Sequence, residues 1–173
     1  MPRRWLESLS DDERAEAVAL IEKLQGLGCP DAAHWARRQI REHSPQLSRL
    51  VLLRHLWSES IDAWRDSLIW IDNLIADAGH ETNQPFSDAG QALRKLLQSG
   101  VDRGAVGALA RFIAYETVFS VVHTIDEGYD PEHEGQLPGW ALVERDPLGH
   151  PTGRMLTHLH EDLPKLEAKI DES

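Results

Sequence analysis

The stretch that decides the fold covers residues 101–128 and reads VDRGAVGALARFIAYETVFSVVHTIDEG. Apolar side chains recur around its whole circumference, with Leu109, Phe112 and Ile113 on one face of a helix and Val118, Val122 and Ile125 on another. A helix that is apolar on every side has neighbours on every side, so residues 102–127 are predicted to form the central helix of a bundle. We expect Asp102 to cap the start of this helix and Gly128 to end it.

Four polar residues share one stripe of this helix because their spacing is four, three and four: Glu116, Ser120, His123 and Glu127. A bare carboxylate is costly to bury, so we expect Glu116 to have a partner. One interpretation is an internal salt bridge from Glu116 to an arginine. The other is a divalent metal site on this face, completed by a neighbouring segment.

Length and composition favour one domain that spans residues 1–173. A chain of this size buries about 70% of its unfolded surface, and an apolar content of 41% with six Trp supports a core. We expect no membrane span, since no run of 18 apolar residues occurs, and no secretory signal at the N-terminus. Cys29 is the only cysteine, which fits a reducing cytoplasm.

The net charge of −11 argues against nucleic acid or an anionic membrane as the main partner. The charge is uneven, because residues 126–146 carry seven acidic residues and a single arginine. One interpretation is a solvated face, and the other is a docking surface for a basic protein. The candidate partner-binding residues are Tyr129, Asp130, Glu132, Glu134 and Trp140.

Around the central helix the sequence predicts a mainly α bundle of six to seven helices. Ser10 and Glu13 form a capping box in the pattern S-x-x-E, which opens a helix. Residues 46–78 lack Gly and Pro and predict either one long helix or two helices broken near Ser58–Ser60. The face of this segment opposite its apolar side carries His55, Glu59, Asp62 and Asp66. One interpretation is a solvated face, and the other is half of a metal site.

The C-terminal part of the sequence predicts a small β-hairpin, in which residues 140–145, approximately, pair with residues 151–156 across a turn at Asp146. A polar loop at 78–85 precedes a short helix capped by Ser87, and a final helix is expected from about Thr157 to Ile170. The wide apolar face of residues 50–75 also allows a homodimer.

Histidines are frequent late in the chain, and His158-x-His160 is the most metal-like local cluster. If the hairpin folds back, His158 or His160 approaches His123 and Glu127 at the end of the central helix. The alternative metal ligands are therefore Glu116, His123, Glu127, His158 and His160, around one zinc or manganese ion.

The segments YETVFSVVHTIDEG, GWALVERDPLGHPTGR and LHEDL resemble an uncharacterised group of small bacterial proteins with a helical body and a C-terminal hairpin. The resemblance covers residues 111–163 and implies no catalytic chemistry. In character, as a small acidic helical chain without catalytic motifs, the protein is also similar to immunity proteins of toxin pairs.

Together these observations predict a non-enzymatic cytoplasmic binding protein that presents an acidic surface to a basic protein partner. Toxin neutralisation is one form of that role. The alternative is a metal-binding protein or metal-dependent hydrolase with a Glu/His cluster at the end of the central helix, where the metal would activate a water. Without that metal, no cofactor is expected.

Overall fold

The computed structural model describes residues 3–78 and 88–167, and in these residues the chain is mainly α-helical with one small β-hairpin. The predicted fold class is therefore confirmed. The residues cluster into two compact units, which we call unit 1 and unit 2. Unit 1 comprises Met1–His55 and Phe119–Ser173, and unit 2 comprises Leu56–Val118.

The first part of unit 1 is a set of helices joined by short turns: α1 (Arg3–Glu7), α2 (Asp11–Gly26), α3 (Ala32–Glu42) and α4 (Gln46–His55). The predicted capping box is present, since the Ser10 side chain accepts from the Glu13 amide and the Glu13 carboxylate accepts from the Ser10 amide. Helix α2 packs on α3, and α3 packs on α4. Their contacts bury Ala17, Leu20, Leu24, Trp35, Ala36, Leu50 and Leu53.

The second part of unit 1 contains the predicted hairpin, formed by β1 (Val143–Arg145) and β2 (Pro151–Met155). The strands are antiparallel, and Val143 pairs with Met155. Helix α9 (Leu159–Glu167) follows and packs on α4, with Leu159 and Leu163 fully buried. The predicted continuation of this helix to Ile170 lies outside the described residues, as do most of the polar loop at 78–85 and the Ser87 cap.

Unit 2 begins at Leu56, inside the segment 46–78 that was predicted to form one long helix or two helices. Residues Leu56–Asp62 form a π-helical segment, followed by α5 (Ala63–Asp66) and α6 (Ile69–Asp77). The break lies at Ser67, whose backbone is extended, so neither alternative was correct: residues 46–78 do not form one helix, and the break is not near Ser58–Ser60. Two tryptophans stabilise the bend, because the Trp64 indole donates to the Ser60 carbonyl and the Trp70 indole donates to the Trp64 carbonyl.

Two further helices complete the described elements, α7 (Ala89–Gln98) and α8 (Arg103–Glu127). Helix α7 packs on α6 within unit 2. Helix α8 starts and ends as predicted: the Asp102 carboxylate accepts from the Ala105 amide at 2.8 Å, and Gly128 follows with a φ of 73°. Residues 103–118 of α8 belong to unit 2 and residues 119–127 to unit 1.

The burial of α8 differs from the prediction of an enclosed helix. Leu109, Phe112 and Ile113 are 60%, 58% and 55% exposed, and within the helix only Gly107 and Val122 are buried. Apolar residues on every side of the sequence therefore did not predict the burial of α8, because burial requires neighbouring elements as well as apolar side chains. Glu116 is exposed on the same side, so the prediction that it is buried with a partner was wrong.

The side of α8 that unit 2 does use is lined by Arg103, Gly107, Arg111 and Tyr115. Arg111 donates to Asp62 at 2.7 Å, and Asp62 is 3% exposed. The prediction of a solvated stripe was therefore wrong for Asp62, although His55, Glu59 and Asp66 are exposed. The Asp62 carboxylate can be buried here because the guanidinium of Arg111, on α8, neutralises its charge.

Candidate functional site

The predicted partner-binding residues lie in a closed loop, residues 128–140, which we call the acidic loop. The Trp140 amide donates to the Gly128 carbonyl at 2.8 Å, which joins the two ends of the loop. Gly139 lies at the same neck, and a methyl group at this position would clash with the Gly128 carbonyl oxygen. The backbone therefore fixes where the acidic side chains are presented.

Inside the acidic loop, Asp130 organises a 3-10 turn, Pro131–His133. Its carboxylate accepts from the Glu132 amide at 3.0 Å and contacts Nδ1 of His133 at 2.9 Å. Glu132 and Glu134 are exposed, and in the described residues their carboxylates do not hold the turn as that of Asp130 does. The loop thus divides its carboxylates into one that holds the turn and two that face solvent.

Apolar side chains accompany these carboxylates. Tyr129 is 42% exposed, Leu137 56% and Trp140 43%. The indole nitrogen of Trp140 already donates to the carbonyl of Thr124 at 2.9 Å, so the exposed part of this side chain offers apolar ring surface. Tyr and Trp are enriched at the energetically important positions of protein interfaces, and charged groups are common at the rim.

The acidic surface is smaller than the sequence count suggests. Glu144 is only 7% exposed and accepts hydrogen bonds from Ser48 at 2.6 Å, Thr152 at 2.8 Å and Arg154 at 2.7 Å. Burial opposes ionisation of Glu144, but these hydrogen bonds outweigh burial and lower its pKa. Glu144 therefore anchors the hairpin to α4 and is not available to a partner.

Asp126 is the second acidic residue that is used internally, at the end of α8. Its side chain is 6% exposed, and its Oδ2 atom contacts Nδ1 of His160 at 2.7 Å and accepts from the His160 amide at 2.9 Å. This contact brings α9 to the last turn of α8 within unit 1. Of the two histidines that the sequence offered for this approach, His158 and His160, it is His160 that lies beside the end of α8.

Only part of the predicted metal cluster comes together. The rings of His123 and His160 are 4.8 Å apart, and Nδ1 of His123 lies 3.8 Å from Glu127. Glu116 lies two turns earlier on α8, and the ring of His158 contacts the hydroxyl of Thr157 at 2.9 Å. Within residues 3–78 and 88–167, no group of three or more His, Cys, Asp and Glu could hold a metal ion.

The buried polar centre of unit 1 was missed by sequence reasoning. Arg49 of α4 is 3% exposed and forms an ion pair with Asp162 of α9. It also donates to the His158 carbonyl at 2.5 Å, and its guanidinium lies 5.5 Å from the ring centroid of Trp35. Burial lowers the pKa of Arg49, and the charge of Asp162 opposes this shift.

Arg49 could not be identified from the sequence because nothing in a helical repeat distinguishes a buried arginine from a surface one. Its place in α4, one residue before the buried Leu50, was the only signal available. The ion pair has a structural role: it joins α4 to α9, and Glu144 joins α4 to the hairpin. The segments that flank the acidic loop are thereby held on the helices of unit 1.

Comparison of the chain with protein-family models, with curated proteins and with solved structures finds no match in any of the three. By length and composition alone, one helical stretch in the described part of the chain, Arg103–His133, is long and apolar enough to cross a membrane. In the most apolar window of this stretch, 11% of the residues are buried.

Proposed function

We propose that this chain is a non-enzymatic cytoplasmic binding protein whose acidic loop docks onto a basic surface of a protein partner. The observation that carries the proposal is the closed neck of the loop, where Trp140 binds the Gly128 carbonyl. A loop fixed in this way loses little conformational entropy when it binds, which favours affinity. Neutralisation of a basic toxin is one form of this role, in keeping with the similarity in character to immunity proteins.

The different roles of the carboxylates within the acidic loop support the same proposal. Asp130 is engaged in the turn, whereas Glu132 and Glu134 are exposed and lie between two partly exposed aromatic residues, Tyr129 and Trp140. Exposed carboxylates raise the association rate with a basic protein, and aromatic rings supply contact area. We therefore expect the aromatic residues to determine the lifetime of the complex and the carboxylates to determine its rate of formation.

The variant that tests the proposal is Glu132→Lys/Glu134→Lys, with Asp130 kept because its carboxylate holds the turn. The matched control is Glu16→Lys/Glu22→Lys on α2, which reverses two exposed glutamates and changes the net charge equally. Exposed ion pairs contribute about 0.2–1 kcal/mol each. Reversal of two such charges, which also introduces repulsion, should weaken partner binding by about 1–2.7 kcal/mol, or roughly 5- to 100-fold.

Wild-type protein, the loop variant and the α2 control are immobilised and exposed to the soluble proteins of the source cell, and bound proteins are quantified by mass spectrometry. We expect a basic protein that the wild type and the α2 control retain and the loop variant loses. Circular dichroism should show equal helix content for all three. Equal retention by all three, or equal loss from both variants, would contradict a role for the loop itself.

The metal alternative has one observation in its favour, the 4.8 Å approach of the His123 and His160 rings, with Asp126 orienting His160. A carboxylate that binds one nitrogen of a histidine is a common arrangement behind metal ligands. Metal analysis of untagged protein separates the two proposals. About one zinc or manganese ion per chain, with melting lowered by a chelator, would favour the metal, and a metal-free chain would favour the binding protein.

A further inference from the structure

A second exposed surface lies on α8 within unit 2 and is distinct from the acidic loop. Ala105, Leu109, Phe112 and Glu116 are spaced four, three and four apart and form one stripe, with Ile113 beside it. All five are exposed, and the three large apolar residues are 55–60% exposed. We call this stripe the outer face of α8.

The other side of the helix, the inner face, is occupied by unit 2. A Cβ atom on Gly107 would come within 2.6 Å of Leu68, so the helix approaches its neighbour closely at this point. Arg103 binds Asp72 at 2.8 Å, Arg111 binds the buried Asp62, and the ring of Tyr115 lies 5.7 Å from that of Trp57. The arginines thus face unit 2, whereas the large apolar residues face outward, which is the reverse of an ordinary surface helix.

We propose that the outer face of α8 is a self-association surface, on which a second copy of this chain places the same face. Leu109, Phe112 and Ile113 together expose roughly 350 Å², a patch within the range of those that are often functional. Burial of these three side chains on both copies removes roughly 700 Å² from water, and the exposed Ala105 adds to it, so we expect a weak, reversible dimer.

The sequence of the stripe matches itself when two copies of α8 run antiparallel about a two-fold axis between Leu109 and Phe112. In this register Leu109 of one copy faces Phe112 of the other, and Glu116 faces Ala105. The only charge of the stripe thus meets a small side chain, whereas a parallel pairing would place two Glu116 carboxylates together.

A lipid bilayer would be a less suitable partner for the same face. Glu116 interrupts the apolar surface after three turns, and an exposed carboxylate is unfavourable inside a membrane. A second copy accommodates Glu116, because the carboxylate stays at the edge of the helix pair and in contact with water.

Sedimentation equilibrium from about 1 to 100 µM tests the proposal with the full chain. We expect the wild type to dimerise and Phe112→Glu to self-associate at least 30-fold more weakly, because a charge would replace a central apolar contact. The matched control is Ile69→Glu, which introduces the same charge at a residue that is 65% exposed on α6. The milder pair Leu109→Ser/Phe112→Ser checks that loss of the dimer does not reflect unfolding.

Cross-linking tests the antiparallel arrangement. A short bis-maleimide should link Ala105→Cys chains to Glu116→Cys chains only when the two variants are mixed, since Cys29 is buried. A wild type that stays monomeric throughout, or variants that dimerise as well as the Ile69→Glu control, would overturn the proposal. Cross-linking between two Ala105→Cys chains would also overturn it. So would a flotation experiment in which the wild type, but not Phe112→Glu, rises with phosphatidylcholine vesicles that contain phosphatidylglycerol.

Discussion

Removal of the Arg49 guanidinium should be one of the most destabilising single changes in unit 1. The side chains of Arg49 and Asp162 are 3% and 7% exposed, so water cannot replace either partner. Loss of one partner from a buried ion pair costs about 3–5 kcal/mol. For Arg49→Met we expect the lower part of this range, since Lys165 lies 2.6 Å from Asp162 and still neutralises it.

Asp162→Ala should cost more than Arg49→Met, toward 5 kcal/mol, because it removes the carboxylate paired with a buried guanidinium and leaves it the neutral His158 carbonyl and the Trp35 ring as direct contacts. The double variant Arg49→Met/Asp162→Ala should cost at least 2 kcal/mol less than the sum of the single changes, as expected for directly interacting charges.

Urea unfolding followed by circular dichroism gives the three free energies of unfolding, with equal slopes required for the comparison. The control is Arg38→Met, which removes a more exposed ion pair with Glu42 and should cost at most about 1 kcal/mol. Single-variant costs that add within about 0.5 kcal/mol would refute the reasoning, because they would show that the two side chains do not interact. A cost for Arg49→Met no larger than that of the control would refute it as well.

The remaining predictions concern three other positions. Asp62→Ala should destabilise the protein by about 3 kcal/mol and the exposed Asp66→Ala by less than 0.5 kcal/mol, as measured by urea unfolding, and equal costs would contradict the buried pair. Gly139→Ala should accelerate amide hydrogen exchange at the neck of the acidic loop, whereas Gly26→Ala, where a methyl group meets nothing, should leave exchange there unchanged. Glu144 has a lowered pKa in the folded protein, so its ionised form stabilises the protein above its ordinary pKa near 4.5, and this contribution is lost as the pH falls through the folded value. Melting temperatures should therefore place Glu144→Gln well below the wild type at pH 7, and the gap should narrow as the pH falls below 4.5.

Much of the fold could be predicted because it depends on short-range signals. The Ser10 capping box, the Asp102 cap and Gly128 at the end of α8 each follow from hydrogen bonds within a few residues. The hairpin was predictable for the same reason, since Asp146 accepts from the amides of Leu148 and His150 and so specifies the turn. These signals determine where elements begin and end.

The features that could not be predicted depend on which elements meet in space. The bend at Ser67 contains no Gly or Pro, and it is stabilised by indole hydrogen bonds from Trp64 and Trp70 that no periodic pattern reveals. Helix α8 was expected to be enclosed, but Phe112 faces solvent because no described element of unit 2 covers that side. Packing partners, and hence the burial of Asp62, are long-range properties that no short stretch of sequence encodes.

The placement of the candidate residues was predicted in part, and their role in binding stays a prediction. The acidic loop and its partly exposed aromatic residues lie where the composition indicated, and His160 approaches the end of α8 as expected. The charge count was misleading, because Asp126 and Glu144 are buried and serve the internal structure. A count of charges along a chain cannot separate exposed carboxylates from those that hold the fold together.

The most direct test of the central claim is isothermal titration calorimetry between the captured partner and three proteins: wild type, Glu132→Lys/Glu134→Lys and Glu16→Lys/Glu22→Lys. We predict a Kd that rises roughly 5- to 100-fold for the loop variant only, and a difference that shrinks when the ionic strength is raised from about 0.05 to 0.5 M. Equal Kd values for the loop variant and the wild type at low salt would contradict the proposal that the acidic loop is the binding surface.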